Sequence, residues 1–387
     1  MDNKNEYQAQ LFSNRLAKRY RQLRKWARRE RITCYRLYDR DIPEIPLAVD
    51  LYEFLPSDIT TPLEAARFMQ NERARESAND LSAAAEAVQR RFARIYLYER
   101  PYTKEEADER IWLSRMAQVA AKILGLQPDH LILKMRRHEK GGGQYSENDA
   151  AFITDDSGTF LPAPVLTGVV QELGQLFVVD LTSRIDTGLF FDHRPLRTRI
   201  RETAGMKAVL NLFCYTGSFS VYAAQGKAEL VESVDLSNTY LALLRKNLIL
   251  NGFTDEQKYP CIRMDVTEFL HQKLSEQPAA AGNGRTNRYD LIILDPPTFS
   301  NSKASEHTLD INKDWSSLVN DCLDLLLPGG TLYFSTNSRR LTFDTELVHN
   351  VTKTGKAVAV IEQTEESLPA DYQNAHPHRL WRLQTGK

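Results

Sequence analysis

Cysteine is scarce in this chain. The four present, Cys34, Cys214, Cys261 and Cys322, stand apart with no CxxC spacing. That argues against a zinc site and a disulfide framework, and it suits a reducing cytoplasm. Long apolar runs are missing as well: none reaches the roughly 18 residues of a membrane span. The N-terminus, MDNKNEYQAQ, lacks the apolar core of a secretory signal. No sign of charge dominates: 50 Lys and Arg against 51 Asp and Glu leave a net charge of −1, so overall balance does not point to a nucleic-acid partner. The one glycine run, Gly141–Gly143, lacks the GK[ST] ending of a phosphate-binding loop, and no internal repeat is apparent.

What the chain does have is ordinary globular composition, 42% hydrophobic over 387 residues, enough for two domains or three. We expect a smaller α+β domain over 1–185 and a doubly wound α/β domain over 186–387. Charge is unevenly placed: nine Lys and Arg lie between Arg15 and Arg31 against one acidic residue, Glu30. Leu16, Tyr20, Leu23 and Ala27 recur at three-to-four spacing, which predicts an amphipathic helix over 12–31 whose other faces are basic. Such a helix is a solvated surface, a phosphate-facing surface through Arg15, Lys18, Arg19, Arg24, Lys25 and Arg28, or, less in keeping with its modest apolar stripe, a membrane-surface helix. Residues 62–92 predict one or two helices without chemistry, 93–99 a strand, 109–126 a helix, 130–136 a strand and 168–181 a hairpin. The glycine run is either a hairpin tip or a basic loop that touches RNA through Arg136, Arg137, Lys140 and Tyr145.

From Arg184 onward strands and helices alternate. Strands are expected at 208–213, 229–235, 259–264, 289–294, 331–335, 358–362 and 378–383, and helices at 218–225, 238–250, 266–274 and 314–327. In such sheets ligands sit at the carboxyl ends of the strands. There the sequence places Cys214-Tyr215-Thr216-Gly217, then Asp235, then Asp265, then Asp295-Pro296-Pro297-Thr298. Gly217 permits a tight turn or a close ligand. A single glycine is a poor match to the GxGxxG turn of a dinucleotide site, so a ligand without a pyrophosphate, such as S-adenosyl-L-methionine (SAM), fits better than NAD. Two consecutive prolines after LIILD fix an extended turn with no N–H at either residue, presenting one carboxylate and backbone carbonyls to a flat substrate.

NLFCYTGSFSV, SVDLSNTYL and DLIILDPPTFSNSK resemble the motifs of class I SAM-dependent RNA methyltransferases. LFSNRLAKRYRQLRKWA, CYRLYDRDIPE and DTGLFFDHRPLR extend the resemblance to the guanine-N7 half of the bifunctional bacterial 23S rRNA methyltransferases over nearly the whole chain. The resemblance implies a Rossmann-like catalytic domain, SAM as donor and 23S rRNA, or a large-subunit assembly particle, as partner in the cytoplasm, with no metal. By motif, Phe213, Cys214, Tyr215, Thr216 and Gly217 would hold the methionine part of SAM. Asp235, with Ser237, would take the ribose, and Asp265 would lie by the adenine. Asp295, Pro296, Pro297 and Thr298 would line the methyl-transfer site. Asp192-His193-Arg194 falls on the family's pre-motif turn, from which Arg194 would reach the SAM carboxylate or the RNA. The bifunctional proteins carry a second methyltransferase and an RNA-binding module that are not in this sequence, so guanine-N2 activity is not expected. Trp315 stands where a histidine would be expected.

Three target chemistries stay open at this point. Guanine N7 needs no general base; cytosine C5 needs a cysteine nucleophile, and none lies at the Asp-Pro-Pro turn; amino-group methylation often uses an aromatic directly after the prolines, where Thr298 stands and Phe299 follows. A non-catalytic RNA-binding assembly factor is the rival of another class.

Overall fold

The computed structural model describes residues 2–100, 105–135, 150–155, 157–276, 288–300, 308–353, 355–372 and 375–387. The predicted glycine loop at 141–143, with Arg136, Arg137, Lys140 and Tyr145, and the Gly/Ala/Asn-rich segment 277–287 lie outside the described residues. The chain forms two units, Met1–Phe191 with Ala370–Ala375, and Asp192–Pro369 with His376–Lys387.

The first unit opens on α1 (Asp2–Glu30). It begins ten residues before the expected start because the apolar stripe extends upward: Ala9 and Phe12 are as buried as Leu16, Leu23 and Ala27. Gln8 accepts a 2.8 Å hydrogen bond from the Trp112 indole. The helix stops at Arg31, whose φ of 57° is left-handed, with Ile32 N–H returning to Ala27 O. There follow β1 (Cys34–Asp39), β2 (Leu47–Glu53), α2 (Pro62–Ser77), α3 (Leu81–Gln89), β3 (Arg91–Leu97), α4 (Glu106–Leu124), β4 (Leu131–Met135), β5 (Ala151–Thr154), β6 (Phe160–Pro162), β7 (Thr167–Glu172) and β8 (Gln175–Asp180). The 62–92 stretch is thus two helices, broken where Asn79 turns left-handed and Asp80 caps α3 through Ser82 and Ala83 N–H; its last residues already belong to β3. The sheet runs β1-β2-β3-β4-β5-β6. Only β3 and β4 are parallel, and α4 is the crossover between them. One core joins α1, α4 and the sheet. The segment Ala370–Ala375 belongs here because Asp371 accepts the Arg36 N–H and, through its carbonyl, an Arg19 N–H.

The second unit contains α5 (Arg194–Thr203), β9 (Ala208–Leu212), α6 (Ser218–Gln225), β10 (Leu230–Asp235), α7 (Asn238–Leu250), β11 (Cys261–Arg263), α8 (Val266–Ser275), β12 (Tyr289–Leu294), the short pair β13 (Phe299–Ser300) and β14 (Leu309–Asp310), α9 (Ile311–Asp324), β15 (Leu326–Thr336), β16 (Val358–Glu362) and β17 (Arg379–Thr385). The sheet order is β11-β10-β9-β12-β15-β17-β16. Five strands are parallel; β17 enters antiparallel to β15 and β16 to β17. This is the Rossmann-like α/β sheet expected, reversing direction between β9 and β12. β12 is apolar apart from Asp290, because both faces of a parallel sheet are covered. The helix α9 starts three residues early, where Asp310 caps it through Asn312 N–H. It ends early because Leu326 already pairs with Tyr289 in the sheet. Trp315 is a core residue: it is buried and lies against Phe343, ring centroids 4.5 Å apart, which accounts for a tryptophan at that position.

Candidate functional site at the carboxyl edge of the second unit

The parallel strands end at one edge of the second unit, and the residues there are held by local chemistry. After β9 the turn alternates conformations: Phe213, Tyr215 and Gly217 have φ of 52°, 51° and 74°. Two non-glycine residues in the left-handed region mark a strained turn, and its own hydrogen bonds fix it: Cys214 N–H donates to Val234 O, Tyr215 N–H to Asp235 and Gly217 N–H to Cys214 O. The helix α6 has no side-chain cap at its N-terminus, so the dipole there faces the turn as well. Packing by itself requires Gly217: a Cβ there would lie 1.8 Å from a Leu244 methyl.

Asp235, at the end of β10, ties this turn to the next helix. One carboxylate oxygen accepts the Tyr215 N–H at 3.0 Å and the other the Ser237 N–H at 2.9 Å. Each oxygen keeps an acceptor site. Burial raises the Asp235 carboxyl above the ordinary value, outweighing these hydrogen bonds. Ser237 caps α7 through Tyr240 N–H. Asp265 caps α8 through Thr267 and Glu268 N–H, so its position is already explained by helix capping. The Tyr215 and Tyr240 rings meet edge to face at 4.6 Å.

The Asp295-Pro296-Pro297-Thr298 turn follows β12. Ser335, at the end of β15, donates to one Asp295 oxygen, and His193 Nε2 lies 3.4 Å from the other. Thr298 donates to Asn337 Oδ1 at 2.6 Å, which links the turn to the end of β15. Phe299, the next residue, is 46% exposed.

Beside this turn lies a buried cluster. His193 stacks on His378, centroids 4.2 Å apart and planes 20° apart, and meets Phe219 edge to face. His378 Nδ1 is 2.9 Å from Asp192 Oδ2 and its Nε2 is 2.8 Å from Ser367 Oγ. Asp192, His193 and His378 are close enough to share a metal ion, but the near-parallel rings do not turn their in-plane lone pairs toward one point, and both His378 nitrogens already have partners. Burial pushes His193 below the usual histidine value, against the raising influence of Asp295. Burial would raise Asp192, but His193, the His378 hydrogen bond and Arg197 together hold it well below the carboxylate range. Arg194 opens α5 at this point and is buried.

His378, Ser335 and Asn337 were not singled out from the sequence. Ser335 and Asn337 obey the strand-end rule already applied to the other strands. His378 does not, because β17 is antiparallel and so brings its amino end to this edge: Thr336 pairs with Arg379. Among the described residues no thiol is poised as a nucleophile at the Asp-Pro-Pro turn; Cys214 lies in the turn after β9. Cys214 and Cys322 are buried, and burial pushes both far above the ordinary thiol value. Cys261 is raised by burial too, and Cys34 belongs to the first unit. The cytosine-C5 alternative therefore finds no thiolate among the described residues of this edge.

The predicted phosphate-facing residues of α1 divide in two. Arg19 is a correction: it is 5% exposed and donates to the Asp371 carbonyl at 2.9 Å, inside the first unit. Arg15 is another, only partly exposed and paired with Asp41. Lys18, Arg24, Lys25 and Arg28 are exposed, joined by Arg21; Lys18, Arg21, Lys25 and Arg28 follow three-four-three spacing and share one face. Among the described residues no helix is long and apolar enough to cross a membrane.

Comparison with known proteins bears on the same residues. Residues 95–379 match the model of the S-adenosylmethionine-dependent methyltransferase family. The chain is 36% identical to the ribosomal RNA large subunit methyltransferase K of Neisseria meningitidis over 374 residues, 96% of this chain and 86% of the relative. It is 38% identical to the ribosomal RNA large subunit methyltransferase K/L of Pseudomonas putida over 377 residues and 35% identical to that of Magnetococcus marinus over 376. It spans 42% and 43% of those longer relatives. Among solved structures, a methyltransferase complexed with SAH superposes with a TM-score of 0.64 at 20% identity, covering 97% of this chain and 81% of that one; a SAM-dependent methyltransferase from Streptococcus mutans gives 0.62 at 19% over the same shares. The sheet order and these matches agree: the chain belongs to the S-adenosylmethionine-dependent methyltransferase family, an enzyme family whose methyl donor is SAM.

Proposed function

We propose that the protein transfers the SAM methyl group to a base of 23S rRNA, and that the base atom is guanine N7. The relation to methyltransferase K supports the RNA class. The observation that carries the atom is the state of Asp295: both its oxygens face partners, Ser335 and His193, and no reactive thiol stands near it. That environment suits an acceptor needing neither base nor nucleophile. Guanine N7 has an in-plane lone pair and no proton to lose. The N7–C bond forms as the C–S bond breaks, the electron pair goes to sulfur, and the positive charge passes from the sulfonium to the purine. Asp295 supplies a fixed negative charge beside that cation, and the enzyme otherwise acts by alignment.

In this reading the turn Phe213, Cys214, Tyr215, Thr216 and Gly217 holds the methionine end of SAM, with Arg194 near its carboxylate. Asp235 and Ser237 take the ribose, and the uncapping oxygen of Asp265 faces the adenine. Asp295, Pro296, Pro297 and Thr298 line the transfer site, and exposed Phe299 stacks on the target base, which leaves its helix to reach the sulfonium. The α1 stripe of Lys18, Arg21, Arg24, Lys25 and Arg28 neutralises RNA phosphates. The reaction takes place in the cytoplasm on 23S rRNA or an assembling large-subunit particle. Nucleoside mass spectrometry of 23S rRNA from cells lacking the protein tests this: loss of one 7-methylguanosine is expected, and an unchanged 7-methylguanosine content overturns it.

A further inference from the structure

We infer that His193 is a positioning residue for Asp295, and that Asp192 and His378 hold the His193 ring in place for it. The inference rests on the reading of Asp295 just given and assigns the residues that orient it.

Four features support the inference. Both carboxylates near His193 approach the same ring nitrogen: Asp295 Oδ2 is 3.4 Å and Asp192 Oδ2 3.9 Å from Nε2. The ring proton is therefore best placed on Nε2, from which it is donated toward Asp295. The other nitrogen, Nδ1, is buried and has no hydrogen-bond partner among the described residues. An unpaired buried acceptor destabilises a fold, and a position that tolerates one is explained when the opposite nitrogen has a task. The ring cannot turn freely, being packed between the His378 face and the Phe219 edge. His378, in turn, is fixed at both ends by Asp192 and Ser367. With Ser335 on its other oxygen, Asp295 is held on both sides, so its carboxylate stays directed at one place rather than rotating with its side chain.

Nitrogen-15 NMR of the histidine rings in the wild-type protein tests the tautomer without substrate. His193 is expected with its proton on Nε2 and a bare Nδ1, and His378 with a proton on Nδ1. A His193 proton on Nδ1, or one equivalent of tightly bound metal in the purified protein, overturns the inference. Kinetics on 23S rRNA with H193A and H193Q supply the second arm. H193A is expected to lower kcat about tenfold while the SAM Kd from calorimetry and the KM for RNA stay within about twofold. H193Q restores an N–H at the same place and is expected to recover kcat to within about threefold of wild type. H193Q no better than H193A overturns the inference. If the wild type transfers no methyl group to 23S rRNA, the proposed target falls while the tautomer measurement still decides the positioning role.

Discussion

The two units use buried charge in opposite ways. In the first, arginine is scaffold: Arg36 is clamped by Asp50 and Asp39 and lies over the Tyr372 ring, Arg91 pairs with Glu53, Arg100 covers the Trp112 face, and Arg19 ends on a carbonyl. The planar fork of a guanidinium suits it to such contacts. In the second unit the buried ionisable groups Asp192, His193, Arg194 and His378 gather at one edge of the sheet, with half-buried Asp295 beside them, and one histidine nitrogen is left unpaired. Charges paired one by one through a sheet and its helices build a frame; buried ionisable groups concentrated at a sheet edge mark a site.

The sharpest way to break this comparison is Asp295→Ala. We expect methyl transfer to fall by about 10²–10³, with the melting temperature nearly unchanged because Asp295 lies at the site and not in the core; near-normal turnover would refute its role. Gly217→Ala comes next, as a frame effect inside the site: the methyl would meet Leu244 and the backbone is left-handed, so thermal unfolding should report a loss of about 2–3 kcal/mol.

The two classes of α1 cation separate by measurement. Arg19→Met removes a buried donor and is expected to cost about 1–2 kcal/mol of stability while leaving the salt dependence of RNA binding alone. Replacing Lys18, Lys25 and Arg28 together by glutamate should do the reverse: the melting temperature holds, while RNA affinity falls by tenfold or more and the slope of affinity against salt flattens by about three units. If rRNA methylation survives that triple change intact, the proposed RNA face is wrong.

The smallest effect concerns pH. His193 titrates lower in the folded protein than in the unfolded chain, so the unfolded chain binds more protons once pH drops below about 6.5. Stability should therefore decline as pH falls from about 6.5, with a slope of at most about 1.4 kcal/mol per pH unit, and H193Q should lose that part of the slope. Asp192, held low, contributes stability that disappears only at more acid pH, below the usual carboxylate value near 3.8. The difference between wild-type and H193Q denaturation curves from pH 5 to pH 8 isolates the His193 contribution.

Much of the second unit was legible because its signals are local. The helices over 218–225 and 238–250 and the strand over 289–294 follow from patterning and flanking turn residues, and they are where expected. Asp235, Asp265 and Asp295 were found by the rule that parallel strands end at one edge. What that rule cannot say is which of them also serve the frame: Asp265 is a helix cap, and Gly217 answers to Leu244. In the first unit the basic periodicity of α1 was plain, but Arg15 and Arg19 were misjudged because their partners, Asp41 and Asp371, lie 26 and 352 residues further along the chain.

The sequence alone therefore determined the alternation of strands and helices, the turn after β9 and the Asp-Pro-Pro carboxylate, since each rests on backbone preferences and side-chain spacing within a few residues. Only the tertiary structure decided the company Asp295 keeps. His378 is 186 residues from Asp192, and it reaches the site because β17 runs against its neighbours, placing its first residues where the parallel strands end. A reversal of strand direction is a property of the assembled sheet, set by how β15, β17 and β16 pair, and no local pattern around His378 encodes it.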